Sequence, residues 1–208
     1  YVALLGWNPG DDREFFTLSD LVETFDMDRI NKSSAAFSFD KLNWLNGEHI
    51  RALDRLTFHQ MALPYYPQSI AHLDLERVSQ LIQPRVEKLT DIPAQVAFLA
   101  ELPAYRSELF ENQKSKSTLS SSRQVLNAVI PLLEGLQNWN NEALYDCLKG
   151  YAESSNQKVG TVMWPVRSAL SGLATSPGGA TELADLLGKD ETLRRLRIGL
   201  HLLEDPAG

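Results

Sequence analysis

Apolar side chains recur every three to four residues along most of this 208-residue chain, which is the spacing of residues on one face of an α-helix. Alternation of apolar and polar positions, the pattern of a half-buried strand, is nearly absent. Several of the predicted helices are short and contain prolines, and such helices can stack into a curved array. The hydrophobic pattern therefore predicts an all-α fold with no sheet of three or more strands.

The start of the chain carries one strong helix signal. Pro9 and Gly10 force a turn after the apolar run YVALLGW. Thr17 then caps a helix, because Asp20 stands three residues later and completes a capping box. A further helix is expected to begin at Asp40. The capped helix is predicted to bury one apolar stripe, which consists of Leu18, Leu21, Val22 and Phe25.

Prolines divide the rest of the pattern. The stretch LPYYPQS at 63–69 disfavours a helix and suits a subdomain boundary. Pro84 interrupts an apolar stripe over 75–89, and its missing N–H should bend or divide that helix. The remaining predicted elements are a polar loop over 112–123, a stripe over 125–136 containing Pro131, helices over about 140–153 and 158–172, a short helix stopped by Gly188, and a last helix over 193–203.

Net charge argues mildly against nucleic-acid binding. The formal charge is −7 and the isoelectric point about 5.1, whereas non-specific binding to nucleic acid depends on Lys and Arg displacing counterions from phosphates. Net charge is an average, however, and an acidic protein can hold a local positive groove. Composition alone does not suggest RNA.

No motif for catalysis or metal binding stands out. Cys147 is the only cysteine, the four histidines show no ligand spacing, and no phosphate-binding loop, GxSxG or HExxH motif occurs. Gly178-Gly179 after a proline is typical of a turn. No apolar run approaches the roughly 20 residues that cross a bilayer. The residues alone therefore indicate a soluble, cytoplasmic helical binding module with no metal, and they do not identify its partner.

Longer motifs carry a family resemblance. The run YVALLGWNPGDDREFFTLSDLVETFDMDRINKSSAAFSFDKLNWLNGEHIR resembles the segment that follows the catalytic Lys-Ser loop in bacterial glutamyl-tRNA synthetases, with ALLGW, GDDRE, INKSSAAF and FDKLNWLNGEHIR as landmarks. The resemblance continues with QPRVEKL at 83–89, KVGTVMWPVRSALSG at 158–172 and SPGGATELADLLGKDETLRRL at 176–196. It covers essentially the whole chain and is weakest over 103–140.

The resemblance implies a division of labour. In that family this portion is an α-helical bundle or cage, with residues 1–66 contacting the tRNA body near the D arm and residues 67–138 and 139–208 forming two anticodon-binding subdomains. The HIGH-like and KMSKS-like motifs do not occur here, so ATP and Mg²⁺ would belong to an upstream catalytic domain. The implied partner is tRNA(Glu), with tRNA(Gln) added in a non-discriminating enzyme, and the implied state is a monomer.

The resemblance also assigns anticodon contacts. Arg85 corresponds to the arginine that reads the first anticodon base, and Arg167 to one that contacts the middle base. The competing interpretation is that both are surface arginines, with Arg85 paired to Glu76 or Glu87. Ser176 and Pro177 correspond to a loop that receives the third base. This sequence departs from the family there, because one residue is inserted around Gly178-Gly179 and small residues, Ala180 and Thr181, follow.

Contacts to the tRNA body are assigned to the helix that begins near Asp40. Lys41 and Arg51 are candidates for phosphate contacts, and Lys114, Lys116 and Arg123 are either further candidates or solubilising loop charges. Trp44 is either a packing anchor, which its neighbours Leu42 and Leu45 favour, or a stacking platform. The rival to tRNA binding is a helical protein–protein adaptor with a synthetase-like fold, which the acidic balance suits.

Overall fold

The computed structural model describes residues 1–31 and 36–204, and these ranges form an all-helical fold. Within them the only β-type pairings are two isolated bridges, Trp7 with Ile30 and Asn112 with Ser117, so the predicted all-α class is confirmed. Residues 32–35 of the INKSSAAF landmark and residues 205–208 lie outside the described ranges. The α-helices are α1 (Val2–Gly6), α2 (Leu18–Thr24), α3 (Phe39–Ala52), α4 (Arg55–Ala62), α5 (Leu75–Ile82), α6 (Ile92–Ala100), α7 (Leu119–Glu134), α8 (Asn141–Ser154), α9 (Val159–Ser171), α10 (Ala180–Leu187) and α11 (Lys189–Glu204).

The predicted cap of α2 is present. The Thr17 hydroxyl accepts a hydrogen bond from the Asp20 N–H at 3.1 Å, and the Asp20 carboxylate accepts one from the Thr17 N–H at 2.7 Å. The predicted burial of the apolar stripe is wrong, because Leu18 is 79 % exposed and Val22 75 % exposed. Capping and periodicity are properties of the helix itself, whereas burial needs a second surface packed against it.

Prolines have different effects at different sites. Pro84 lies in a 3₁₀ turn, Gln83–Arg85, that directly follows α5, so the predicted division of that helix is confirmed. The stretch over 63–69 likewise forms 3₁₀ turns, Leu63–Tyr65 and Gln68–Ile70. By contrast, Pro131 in α7 and Pro165 in α9 lie inside helices that continue past them.

The main core lies among the last five helices. α7 packs against α8, α9 and α11, and α10 packs against α8 and α9. Earlier in the chain α4 packs against α5, and α3 contacts the 3₁₀ turn at 83–85. These contacts cross both predicted subdomain boundaries, at 66/67 and at 138/139, and the division into three subdomains stays a prediction. None of the helices in the described ranges is both long and apolar enough to cross a membrane.

A buried arginine ties α11 to the rest of the core. The side chain of Arg195 is fully buried, and it donates hydrogen bonds to the carbonyls of Phe98 at 2.8 Å and Leu170 at 2.7 Å. Its Nε donates to the Glu191 carboxylate at 2.6 Å. Hydrogen bonds from Arg194 and Arg195 lower the pKa of Glu191 to about 2. The buried charge is therefore both paired and hydrogen-bonded, as burial of an ion requires.

Candidate nucleic-acid interface

One open pocket brings together three of the four residues predicted to bind the anticodon. It has a volume of about 610 Å³ and lies between the 3₁₀ turn after α5, the helix α9 and the loop over 174–179. Arg85, Arg167 and Ser176 all line it. Pro177 is buried and does not line it. Residues that are about 80 positions apart in the sequence thus face one space.

Arg167 is fixed from several sides. Its Nη1 donates to the Leu173 carbonyl at 3.2 Å and to the Ser176 hydroxyl at 3.0 Å, and its Nη2 donates to the Ala174 carbonyl at 3.1 Å. The guanidinium also lies over the indole ring of Trp164, 4.4 Å from the ring centroid. Arg167 therefore fastens the loop after α9 to the helix while presenting a positive charge at the pocket.

The pocket is lined by two cations, Arg85 and Arg167, and by one carboxylate, Glu182. Burial lowers the pKa of Arg167, and the nearby charge of Arg85 lowers it further. An arginine stays protonated despite such a shift because its ordinary pKa lies far above neutral pH. Two cations that raise each other's energy form a site that an anionic ligand would stabilise.

Arg85 is the more available of the two arginines. It is exposed at the end of the 3₁₀ turn that Pro84 introduces after α5. Within the described ranges no ion pair joins it to Glu76 or Glu87, the acids that the competing interpretation assigns to it. Its guanidinium donors are thus directed to solvent and the pocket rather than to a neighbouring carboxylate.

Ser176 and the two glycines shape the loop. The Ser176 hydroxyl accepts from Arg167 and donates to the Gly178 carbonyl at 3.1 Å, and the side chain is only 3 % exposed. Gly178 has a φ of +100°, a conformation that favours glycine. The Gly179 N–H donates to the Glu182 carboxylate at 2.7 Å at the start of α10. The predicted turn at Gly178-Gly179 is present, and its hydrogen bonds are internal to the protein.

The residues predicted to contact the tRNA body lie on α3, and none of them lines this pocket. Lys41 forms an ion pair with Glu14 at 2.5 Å, and Arg51 forms one with Glu48 at 2.8 Å. Trp44 is 41 % exposed, which is more than a core anchor would show. Both cations would therefore have to exchange a carboxylate for a phosphate in order to bind RNA.

Sequence reasoning missed several pocket residues, among them Trp164, Gln80 and Glu182. A signal for Trp164 was available, because it precedes Arg167 by three positions and residues three apart share a helix face. No local pattern marks Gln80, an exposed residue of α5 that meets the pocket only through the packing of α5 against the other elements.

Comparisons with known proteins match most of the chain. A family model described as an anticodon binding domain matches residues 57–200. The chain is 44 % identical over 205 residues to a glutamate–tRNA ligase of Clostridium botulinum strain Hall, and 44 % identical over 206 residues to that of Clostridium tetani, covering 98 % and 99 % of this chain. It spans 42 % of the length of each of these relatives.

Solved structures show the same fold. A glutamate–tRNA ligase from Elizabethkingia meningosepticum, solved in complex with its amino acid, matches with a TM-score of 0.73 at 21 % identity, over 96 % of this chain and 39 % of that one. The enzyme from Elizabethkingia anophelis matches with a TM-score of 0.71 at 22 % identity, over the same shares of the two chains. Because the family model spans well over half of the residues and includes both arginines of the pocket, this chain belongs to the anticodon binding domain family.

Proposed function

We propose that this chain is the tRNA-binding and anticodon-recognition portion of a glutamate–tRNA ligase, a class I aminoacyl-tRNA synthetase. The observation that carries the proposal is the pocket of Arg85 and Arg167, two close arginines without an acidic partner in the described ranges, inside the region that the anticodon binding domain model matches. Glutamate, ATP and Mg²⁺ would bind the catalytic part of the parent protein, which would attach glutamate to the tRNA.

At the pocket, Arg85 contacts an anticodon base directly. A guanidinium carries several donors in a fixed plane and can hydrogen-bond a base edge or stack on a base. Arg167 contacts a neighbouring base with the face and donors that its loop contacts leave free, and Ser176 and Pro177 hold the backbone of the receiving loop. Unstacked anticodon bases suit such a site because their edges and faces are accessible.

The rest of the proposal concerns the complex with the whole tRNA. Lys41, Trp44 and Arg51 on α3 contact the tRNA body, residues 1–66 form that body-contacting subdomain, and residues 67–138 and 139–208 form the two anticodon-binding subdomains. The partner is tRNA(Glu), and tRNA(Gln) is added in a parent enzyme that does not discriminate. The protein acts as a monomer in the cytoplasm.

The test compares arginine and lysine variants on tRNAs that differ at one anticodon position. Arg85→Ala should cost about 1–3 kcal/mol and relax discrimination at a single anticodon base, whereas Lys41→Ala should weaken all sequences alike and lower the salt slope by about one. Titrations of tRNA(Glu) transcripts with each variant measure both. The matched control is Arg106→Ala, because Arg106 is exposed, does not line this pocket and does not lie on α3.

Uniform weakening of every tRNA by Arg85→Ala, or no change, would contradict base reading by Arg85. Binding that ignores the anticodon in the unaltered chain would favour the other candidate function, a helical protein–protein adaptor. The formal charge of −7 is the observation that suits an adaptor. The two functions differ in salt dependence as well, because phosphate contacts release counterions.

A further inference from the structure

We propose that the RNA site continues from the anticodon pocket into a second pocket, where Arg55 contacts a phosphate of the strand flanking the anticodon. This inference rests on the proposed function. The second pocket has a volume of about 360 Å³, and Gln80, Leu81 and Glu182 line both pockets. Because three side chains line both, the two pockets adjoin along α5, and together they are called the groove here.

The acidic groups next to the second pocket are already engaged. The Asp185 carboxylate is paired with Arg77 and accepts the Asn141 N–H at 2.9 Å, and its side chain is only 9 % exposed. The Glu182 carboxylate accepts the Gly179 N–H. Asp185 is therefore already paired with a cation, whereas Glu182 keeps its negative charge and forms no ion pair within the described ranges.

Arg55 supplies the free charge. It is the first residue of α4, it is exposed, and no ion pair holds it within the described ranges. The acid beside it in the sequence, Asp54, is engaged as the cap of α4, with its carboxylate accepting from the Thr57 N–H at 3.0 Å and from the Thr57 hydroxyl at 2.6 Å. Arg55 thus lines the second pocket without an ion-pair partner in the described ranges.

The joined groove has the charge balance of a nucleic-acid site. Its lining includes three arginines without an ion pair in the described ranges, at positions 55, 85 and 167, a fourth, Arg77, that is paired with Asp185, and one carboxylate, Glu182. A strand whose bases enter the first pocket carries a phosphodiester at every nucleotide, so its phosphates follow the bases into the adjoining space. Grooves that track single-stranded RNA combine such cations with aromatic faces, and Trp164 provides an aromatic side chain in the first pocket.

The chemistry assigns different roles to the two pockets. Arg85 in the first pocket would distinguish bases, whereas a phosphate contact by Arg55 carries no sequence information and fixes register. Gln80, at the shared wall, has an amide that both donates and accepts, which suits contacts to a ribose or a base edge. Sequence-independent affinity and base discrimination should therefore be separable by mutation.

The first experiment measures the binding of a labelled tRNA(Glu) anticodon stem-loop RNA by the full chain at several salt concentrations. Arg55→Ala should weaken binding roughly tenfold for every anticodon sequence, and it should lower the salt slope by about 0.7 to 1. Arg55→Lys, which keeps the charge, should retain most of the slope. Arg106→Ala, at an exposed arginine outside the groove, should change neither quantity.

The second experiment locates the contact. Stem-loops that carry one neutral methylphosphonate at each loop position in turn are titrated with the unaltered chain and with Arg55→Ala. At one position flanking the anticodon, the methylphosphonate should lower the affinity of the unaltered chain for the stem-loop. It should not lower the affinity of Arg55→Ala any further, because the charge pair is already broken. This non-additivity distinguishes a bound phosphodiester of the RNA from a general change in the charge of the protein.

The inference is overturned if Arg55→Ala leaves the salt slope unchanged, or if the effects of Arg55→Ala and every methylphosphonate simply add. Such a result would leave the anticodon proposal intact, since Arg85→Ala tests that proposal by its effect on base discrimination. Loss of anticodon dependence in the unaltered chain would instead overturn the proposed function itself. Circular dichroism and thermal unfolding of each variant exclude misfolding as the cause of lost binding.

Discussion

Two regions of the molecule have the same helical periodicity and opposite burial. The N-terminal region, the described residues up to 44, buries Trp7 and Phe16, whereas Leu18 and Val22 of α2 are 79 % and 75 % exposed. In the C-terminal region, residues 119–204, the apolar stripes of five helices pack on one another. An amphipathic pattern thus predicts a helix wherever it occurs, but it predicts a core only where a second stripe meets the first.

Different forces stabilise the two regions. In the N-terminal region the Trp7 indole donates to the Asp26 carbonyl at 3.1 Å and packs beside Phe16 and Phe25, with ring centroids 6.1 and 5.6 Å away. These contacts, together with the cap at Thr17, join residues that are fewer than 20 positions apart. The C-terminal region is instead stabilised by contacts between helices distant in sequence, which couple its elements into one cooperative unit.

The largest expected contrast comes from the same substitution in each region. Leu133→Ala, at a fully buried position of α7, should lower the free energy of unfolding by about 3–5 kcal/mol because it leaves a cavity in the core. Leu18→Ala should change it by less than about 0.5 kcal/mol because the side chain is already in solvent. Urea unfolding followed by circular dichroism measures both. Comparable losses from the two substitutions would show that the α2 stripe contributes to the core.

The sequence predicts the helix boundaries that have a local cause, but it does not single out α4 or α6 as separate helices. The cap at Thr17, the break at Pro84 and the stop at Gly188, which has a φ of +78°, all follow from the residue itself and its near neighbours. The exposure of the α2 stripe could not be predicted, because burial depends on which surfaces approach each other. Pro131 and Pro165 also differ from Pro84, because each lies inside a helix that continues past it.

The candidate site is partly predictable for a similar reason. The motifs around Arg85 and Arg167 single out both arginines, and the structure places them on one pocket. Their different roles depend on contacts that the sequence does not show: Arg167 is bound to the loop carbonyls of Leu173 and Ala174, whereas Arg85 is exposed. The extension toward Arg55 depends on the packing of α4 against α5, which is equally non-local.

A smaller effect should appear when the C-terminal region is acidified. The pKa of Glu191 is about 2, below its ordinary value of 4.5, so its stabilising contribution is complete above pH 4.5 and is lost as the pH falls toward 2. Its size is on the order of 1–2 kcal/mol once solvent screening is allowed for. Urea unfolding of the unaltered chain and of Glu191→Gln across this range isolates the contribution, because other carboxylates titrate in both proteins.

The difference in stability between those two proteins should be largest above pH 4.5 and should shrink as the pH falls. A difference that stayed constant with pH would mean that Glu191 has the same pKa in the folded and unfolded chains. The loss of stability should arise in the C-terminal region, because protonation of Glu191 leaves the fully buried guanidinium of Arg195 without its carboxylate partner. An exposed ion pair such as Lys41 with Glu14 should contribute much less.

The smallest contrast compares two helix caps of the same type. Thr17 is the N-cap of α2 and Thr118 is the N-cap of α7, and each threonine forms a capping box with the residue three positions later. Removing such a cap costs about 1 kcal/mol. The consequence depends on what the helix is coupled to. Since α7 packs against α8, α9 and α11, its loss of stability should be shared by the whole C-terminal region.

Thr118→Ala should therefore lower the global free energy of unfolding by about 1 kcal/mol, whereas Thr17→Ala should leave it within about 0.5 kcal/mol of the unaltered value. In Thr17→Ala the loss should appear instead in amide hydrogen exchange, as roughly fivefold lower protection confined to α2, because that helix opens without the core. Equal global losses from the two variants would mean that α2 unfolds together with the core, and that its exposed stripe does not make it an independent element. Protection lost only in α2 would establish that a well-capped helix can form on this protein while remaining uncoupled from the packing that stabilises the rest.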